Sequence, residues 1–511
     1  MGSAGASVGT GGGSPTAASV WEPPRPRPLT PVLGLLRTAI RGDGDLLSML
    51  PRAAYRVLAG PLGYSRRSIL IVNAPELFRT VLTDPTDIYP KNDLMTGALA
   101  PLVGDSIFVS SGPTWRRQRR MIDPAFSHIR VGRAYPGMTA AVDDYERMLD
   151  EHAARGSPFS LDLAMSHLTA DVICRTIFTT SLESRIAREV FEAFSVFERS
   201  AAQVELRRLI LDAPFSRIPQ HATVLEACER IRRHLGELVD PRLEARARAE
   251  AAGEKGDAAA QEAPGPGATG PTATGPTATG PTATGPDDIA AAVIAARDPE
   301  TGERFTRDEL VDQLGVFFLA GHETTASVLT WVFYVLAVRP EVVARMREEV
   351  DRVVGEGPVA FAHVRRLPYV RNVFRETLRL YPPITFIPRV AAKATRIGDY
   401  RVKRGAMIMI SPWTIHRHEK LWRHPHRFDP DRFSPEREKD HVPGAYLPFG
   451  LGPRVCVGAD FATVEATLII ARLVRRYDFF VDAPERVRPA ARLTTRPADG
   501  IVCRVRRRGA G

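Results

Sequence analysis

The stretch from Phe449 to Gly458, Phe-Gly-Leu-Gly-Pro-Arg-Val-Cys-Val-Gly, leaves a folding chain few choices. Gly450, Gly452 and Gly458 let the backbone turn sharply and approach a flat partner closely. A helix-forming run begins at Ala459, directly after the loop. Amide N–H groups in such a turn, and at the start of the next helix, are predicted to point at the Cys456 sulfur. They would favour the thiolate and lower its pKa from about 8.5. A thiolate held this way is a strong axial ligand for a haem iron and donates electron density that favours O–O cleavage. Arg454, just upstream of the cysteine, is in reach of a haem propionate. A buried, inert cysteine beside a Gly-rich turn is the plainer alternative.

Other stretches are unusual for what they would cost a folded protein. Thr306-Arg307-Asp308-Glu309 forms a capping box and opens an almost wholly apolar run to Val338, which stops before Pro340. A helix apolar all round is predicted to lie buried. Inside it sits Ala320-Gly321-His322-Glu323-Thr324-Thr325. A helical Gly costs about 1 kcal/mol relative to Ala, and an unpaired buried carboxylate costs more. The combination predicts a groove or water site in the helix; a Thr bonded back onto its own helix is the alternative. His322-Glu323 also begins a zinc-binding His-Glu-x-x-His pattern, but Ala326 stands where the second His is needed. Trp115 and Arg119 share one face of a helix predicted from about Pro113, which also carries Arg116, Arg117 and Arg120. Glu376 and Arg379 can pair on a helix over 368–381, and Arg432 follows in Phe428-Asp-Pro-Asp-Arg-Phe433.

These motifs, in this order, resemble the cytochrome P450 family over roughly residues 30–508. The loop matches it at Phe449, Gly452, Arg454, Cys456 and Gly458. The resemblance implies a mainly α fold with a small β region and a long central helix over the haem. It implies haem b (iron protoporphyrin IX), with Cys456 on the iron and Trp115, Arg119, Arg389, Phe449, Arg454 and Gly458 holding the cofactor. Thr324 would hydrogen-bond the activated oxygen, Glu323 would bring in protons from solvent, and Gly321 would leave room for O2. Glu376, Arg379 and Arg432 would lock the loop behind the haem, a buried network that specifies geometry more than it stabilises. Phe317, Ala320, Ile384 and Phe386 would line an apolar substrate pocket suited to a fatty acid, terpenoid, steroid or polyketide. Electrons from NAD(P)H would arrive through a separate ferredoxin or flavodoxin and its reductase, docking near Arg116, Arg117 and Arg120. The implied function is a haem-thiolate monooxygenase that activates O2 and hydroxylates a C–H bond. A peroxygenase or isomerase of the same fold, and a non-catalytic haem-binding protein, are the rival readings. The intact Glu323-Thr324 pair weighs against the first, and nothing in the chain points to a signalling domain.

Composition sets the remaining bounds. With 44% apolar and 25% charged residues the chain can bury a large core. Cys174, Cys228, Cys456 and Cys503 show no metal or disulfide spacing, which fits a reducing compartment. The net charge of +10, rich in arginine, reads as a solvated surface without a nucleic-acid partner. No transmembrane helix is expected: residues 31–37 are far too short to span a bilayer, and residues 1–19 lack the order of a signal peptide. A soluble, cytoplasmic monomer is expected. Residues 1–28 read as a disordered head and 29–508 as a single domain. Within it, 251–286, with Pro-Thr-Ala-Thr-Gly repeated from Pro271 to Gly285, reads as a flexible insertion. Strands are predicted at 68–72, 384–390, 396–412 and 500–505, and a Pro75-initiated helix through Leu82. Residues 92–114 read as a long loop, and 136–250 as helices holding Cys174 and Cys228 in the core. His416 and His418 are placed in a polar loop without a ligand role.

Overall fold

Local signals set most of the elements in the computed structural model, which describes residues 21–26, 30, 33, 45–62, 68–201, 220–261 and 287–509. Most of the expected head and the Pro-Thr-Ala-Thr-Gly repeat lie outside the described residues. Pro75, at a position where its missing N–H costs nothing, opens α1 (Pro75–Leu82). Helix α2 (Asp93–Val103) replaces the first half of the loop expected over 92–114. Its start is fixed by the Asn92 side chain, which accepts from the N–H groups of Leu94 (3.0 Å) and Met95 (3.4 Å). Pro101 has no N–H to offer the Gly97 carbonyl, and Gln220 Nε2 donates to that oxygen instead at 3.0 Å. The helix therefore tolerates a residue that, in the sequence, reads as a breaker.

Helices α3 (Gly112–Ile122), α4 (His128–Arg155), α5 (Leu161–Ile177), α6 (Arg185–Ala201) and α7 (Ala222–Gln261) follow. Helix α7 runs through 251–261, the Ala-rich start of the segment expected to be a flexible insertion. After α8 (Ile289–Ala295) comes α9 (Arg307–Val338). Its capping box is formed: Thr306 Oγ1 accepts from Glu309 N–H at 3.2 Å, and Glu309 accepts from Thr306 N–H at 2.8 Å. The helix runs as continuous α-helix through Gly321. It packs against α5 and α7 and forms the centre of the core with α12 (Ala459–Arg476), which begins directly after the Cys456 loop. Between them in sequence lie α10 (Pro340–Val354) and α11 (Pro368–Leu380). Trp331 of α9 stacks on Tyr381 at 4.0 Å.

Strands are few. β1 (Ala59–Pro61) and β2 (Ile69–Val72) pair antiparallel. β3 (Phe159–Ser160) lies apart from them. β4 (Ile387–Val390), β5 (Thr395–Ile397), β6 (Tyr400–Val402) and β7 (Met407–Ile410) follow α11. One sheet has the order β1-β2-β7-β4, with Ile69 beside Met407 in parallel and Ile387 opposite Ile410 in antiparallel register. β11 (Val502–Arg507) pairs antiparallel with β3 on one side and β8 (Tyr477–Val481) on the other, and β9 (Pro489–Ala491) forms a hairpin with β10 (Thr495–Pro497).

Cys174, Cys228 and Cys503 are buried, and burial pushes all three thiols up, Cys228 to about 12. They are inert packing groups. His416 is not in a polar loop: it is fully buried and accepts the Leu447 N–H on Nε2 at 3.0 Å. Its other nitrogen lies 3.2 Å from the Arg379 carbonyl, so it braces the segment leading to Phe449. Among the described residues no single helix is long and apolar enough to cross a membrane. α9 and α10 pass that test only as a pair bent by 107°.

Candidate active site

The Cys456 loop is shaped by its glycines. Gly452 has φ +76°, and a Cβ there would lie 2.7 Å from the Leu82 carbonyl oxygen, so only glycine fits against the end of α1. Cys456 N–H donates to the Phe449 carbonyl at 2.9 Å and closes the loop. The cysteine is exposed, and it opens onto a cavity of about 560 Å³ that reaches under α9. Here the expectation of a depressed thiol is overturned. Burial in the surrounding protein pushes Cys456 up, while the Gly458 N–H and the Arg119 charge pull it down without prevailing. A metal ion at the sulfur would supply the missing positive charge and deprotonate it outright.

One wall of the cavity gathers cations. Lys91 and Arg389 are joined by an antiparallel backbone bridge, and the Val390 N–H donates to the Pro90 carbonyl at 3.1 Å. Arg454 donates to the Ser110 carbonyl at 3.1 Å and lies over the Trp115 ring at 4.2 Å. Among the described residues none of Lys91, Arg389 and Arg454 has a carboxylate ion-pair partner. Burial, then the charges of Arg454 and Arg389, hold Lys91 well below its ordinary value. Burial brings Arg389 and Arg454 each to about 10. Three cations on one cavity wall without counter-charge, Arg389 buried and Lys91 and Arg454 half-buried, call for an anionic ligand of more than one carboxylate. The two propionates of a haem, with a thiol able to ligate its iron in the same cavity, meet that demand, so the residues fit the cofactor. Lys91 was missing from the sequence-based set. Arg119 also lines the cavity, with its guanidinium held by Asp123 at 2.6 Å and the Val455 carbonyl at 2.7 Å.

The α9 wall presents Phe317, Ala320, Gly321 and Thr324 to the cavity, and Ile384, Phe386 and Phe449 also line it. Phe317 packs edge-on against Phe126 at 5.1 Å. A Cβ on Gly321 would lie 2.4 Å from Ile173 Cδ1, so this glycine serves the close approach of α5 as well as the cavity. Thr324 Oγ1 donates to the Ala320 carbonyl at 2.6 Å, the back-bonded arrangement, which leaves its oxygen lone pairs free. Glu323 points away from the cavity. Its carboxylate accepts from Thr494 Oγ1 at 2.5 Å and Arg496 Nε at 3.1 Å. Burial opposes its charge, yet Arg496 outweighs it and holds Glu323 below the usual range. Behind the wall, on α12, Glu465 is fully buried, and burial pushes it well up.

The buried network forms as the motifs imply. Glu376 accepts from Arg379 at 2.6 and 2.7 Å, from Arg432 Nε at 3.3 Å and from Asp429 N–H at 2.8 Å. Arg379 in turn binds the carbonyls of His416 and Pro425, both at 2.7 Å, and of Arg427 at 2.9 Å. The arginines of α3 are less free than expected. Arg116 pairs with Asp87 (3.3 Å), Arg117 with Glu309 (2.6 Å), and Arg120 with Asp298 (3.0 Å) and Glu300 (2.8 Å).

A cysteine loop closed by glycine, a helix-walled apolar cavity and orphaned cations define a haem-thiolate protein. Comparison with known proteins agrees. The family model "Cytochrome P450" matches residues 61–504. Cyclooctat-9-en-7-ol 5-monooxygenase of Streptomyces melanosporofaciens is 30% identical over 88% of this chain and 87% of its own. Pentalenene oxygenase of Streptomyces avermitilis is 27% identical over 94% and 93%. The crystal structure of the cytochrome P450DA heme domain superposes with a TM-score of 0.69 at 24% identity, covering 88% of this chain and 90% of that one. The chain belongs to the cytochrome P450 family, and it is a monooxygenase of that family.

Proposed function

We propose that this enzyme hydroxylates an apolar terpenoid, using haem b and electrons passed from NAD(P)H by a ferredoxin or flavodoxin. The carrying observation is the cavity itself, in which Cys456, Thr324 and the apolar side chains Phe317, Ala320, Ile384 and Phe386 face one space. The two Streptomyces relatives, whose names specify oxidation of cyclooctat-9-en-7-ol and pentalenene, support the substrate class.

Bound haem supplies the redox chemistry that activates O2 and delivers one oxygen atom to carbon. Cys456 would hold the iron from the loop side. Lys91, Arg389 and Arg454 would neutralise the carboxylates, with Trp115 packed on Arg454. The apolar residues would orient the substrate and exclude water. Thr324 presents a hydroxyl whose proton now rests on the Ala320 carbonyl; rotation would aim it into the cavity. Glu323, next to it on α9, would hold and resupply the proton.

The first test is the spectrum of the dithionite-reduced, carbon-monoxide-bound protein, wild type beside Cys456→Ser. A strongly red-shifted Soret band only in the wild type is expected, and a band unchanged by the substitution overturns the ligand assignment. Incubation with pentalenene, NADPH, ferredoxin and its reductase should then yield a product heavier by one oxygen. Turnover of lauric acid but no terpenoid would overturn the substrate class.

A further inference from the structure

Directly before Glu323, on the face of α9 turned from the cavity, His322 is enclosed by aromatic rings. Phe318 lies at 5.0 Å, Phe194 at 5.9 Å and Phe191 at 6.0 Å. Its Nδ1 is 2.8 Å from the Phe318 carbonyl, which can only accept, so Nδ1 carries a hydrogen. Its Nε2 lies 3.0 Å from the carboxylate of Glu198, near the end of α6. One nitrogen of His322 and one oxygen each of Glu198 and Glu323 lie within 4.8 Å of one another. The three side chains are graded in depth: Glu198 is 21% exposed, Glu323 5% and His322 2%.

Charge counting gives the protonation state. Glu198, Glu323 and Arg496 sum to one negative charge, and a buried unbalanced charge is costly. One further proton makes the cluster neutral; burial and then the charge of Glu323 push Glu198 up, so the proton can rest on His322 as imidazolium or pass to Glu198. Burial pushes His322 down, but the Glu198 carboxylate and then Glu323 outweigh it and raise it above its ordinary value. Other groups facing the cluster do not replace that proton. On α5, His167 is pushed down by burial, and Ser166 accepts from Arg496 at 3.0 Å. Asp162 acts on Arg496 from the same helix. The cation's place beside Glu323 is already filled by Arg496, which binds both of its oxygens.

We propose that Glu198 and His322 form a proton-loading branch that resupplies Glu323 from solvent. The resting imidazolium gives its Nε2 proton to a bridging water, which passes one of its own to a Glu323 oxygen: the His322 N–H bond and a water O–H bond break, and a water O–H bond and a Glu323 O–H bond form. His322 is reloaded from water through Glu198, whose O–H bond forms and breaks in turn. The Nδ1–H stays on the Phe318 carbonyl throughout, and no electrons move. The branch rests on the proton-handling role proposed for Glu323.

The test uses the full-length, haem-loaded protein. Nitrogen-15 NMR of labelled histidines, in the diamagnetic reduced carbon-monoxide form, should show His322 as imidazolium at pH 7. Glu198→Gln should lower its midpoint by at least one pH unit. NADPH-driven O2 consumption with ferredoxin and its reductase should fall in wild type as pH rises through that midpoint. In Glu198→Gln and His322→Gln it should be several-fold slower and lose that step. Glu198 is the most exposed of the three side chains at 21%, and far-ultraviolet circular dichroism of each variant beside wild type checks that the fold is kept. A neutral His322 in wild type, or unchanged pH profiles in both variants alongside a slowed Glu323→Gln, overturns the branch while Glu323 stands. An unaffected Glu323→Gln overturns the role of Glu323 itself and with it the branch.

Discussion

Replacing Glu376 by Gln is the sharpest test of how the Cys456 side of the protein is held. The side chain is fully buried and accepts four hydrogen bonds, from Arg379 at 2.6 and 2.7 Å, Asp429 N–H at 2.8 Å and Arg432 at 3.3 Å. Gln keeps the shape but removes the charge and turns one acceptor into a donor facing guanidinium N–H groups. Arg379, fully buried, is then left with carbonyl partners only. Breaking one side of a buried pair costs about 3–5 kcal/mol, against a total stability of about 5–15 kcal/mol for a folded domain. Denaturant unfolding of the haem-loaded protein, followed by far-ultraviolet circular dichroism and Soret absorbance together, should show a midpoint reduced by a third or more, with haem lost first. Because both charges are then gone, the double variant Glu376→Gln/Arg379→Met should recover part of the loss. The exposed Arg488–Asp499 pair at 3.1 Å serves as control, and its removal should change nothing measurable. A Glu376→Gln protein that unfolds like the control, or a double variant worse than the sum of its singles, would refute the reasoning.

Lys91→Met removes one of three orphaned cations while keeping the length of the side chain. Loss of a charge-assisted hydrogen bond of about 1.5–3 kcal/mol should speed haem transfer to a scavenging apo-globin roughly ten- to a hundredfold, and an unchanged rate places Lys91 outside the haem site. Glu465→Gln should stabilise the protein increasingly with pH. The folded state keeps the Glu465 proton because burial raises its pKa, whereas the unfolded chain releases it above about pH 4.3. Wild-type stability therefore falls as pH rises through that range, and Gln abolishes the slope. A melting-temperature gap between the two that stays constant from pH 5 to pH 8 refutes a neutral Glu465.

What could be read from the sequence was what local chemistry decides. The capping box at Thr306, Pro75 at the head of α1 and the turn at Gly452 each depend on a few adjacent residues, and each is found where expected. Glu376 and Arg379 were legible because helical spacing alone brings them together. What failed depended on distant chain. Residues 92–114 read as loop because of Gly97, Gly104 and Gly112, yet 93–103 is helical, and the carbonyl that Pro101 leaves unpaired there is capped by Gln220, from far along the chain. Lys91 joins the cation wall only through its bridge to Arg389, and no spacing rule announces such a bridge. The Asn92 cap is the local signal by which the start of α2 could have been found. Cys456 failed in a different way: the loop geometry was right, but the desolvation around the sulfur depends on everything packed about it.

The arginines of α3 show how a charge pattern can mislead about docking. Arg117 reaches Glu309 at 2.6 Å and the Arg304 carbonyl at 2.9 Å, and Glu309 also caps α9 through the Thr306 N–H at 2.8 Å. Reversing Arg117 to Glu would set two carboxylates against each other at the start of the central helix. The expected result is a melting temperature lower by a few degrees, whatever protein delivers electrons. Arg116 differs: its side chain is 48% exposed, and its one ion pair among the described residues, to Asp87, is 3.3 Å long. Arg116→Glu should leave stability unchanged and raise the KM for ferredoxin several-fold at low ionic strength, with the difference fading at high salt as screening shortens to about 3 Å at 1 M. Measured together, the two variants separate structure from docking. A slowed Arg116→Glu enzyme of normal stability supports an acidic partner on this face. An unaffected rate at low salt removes α3 from the docking surface and leaves Arg117 and Arg120 as residues of the fold.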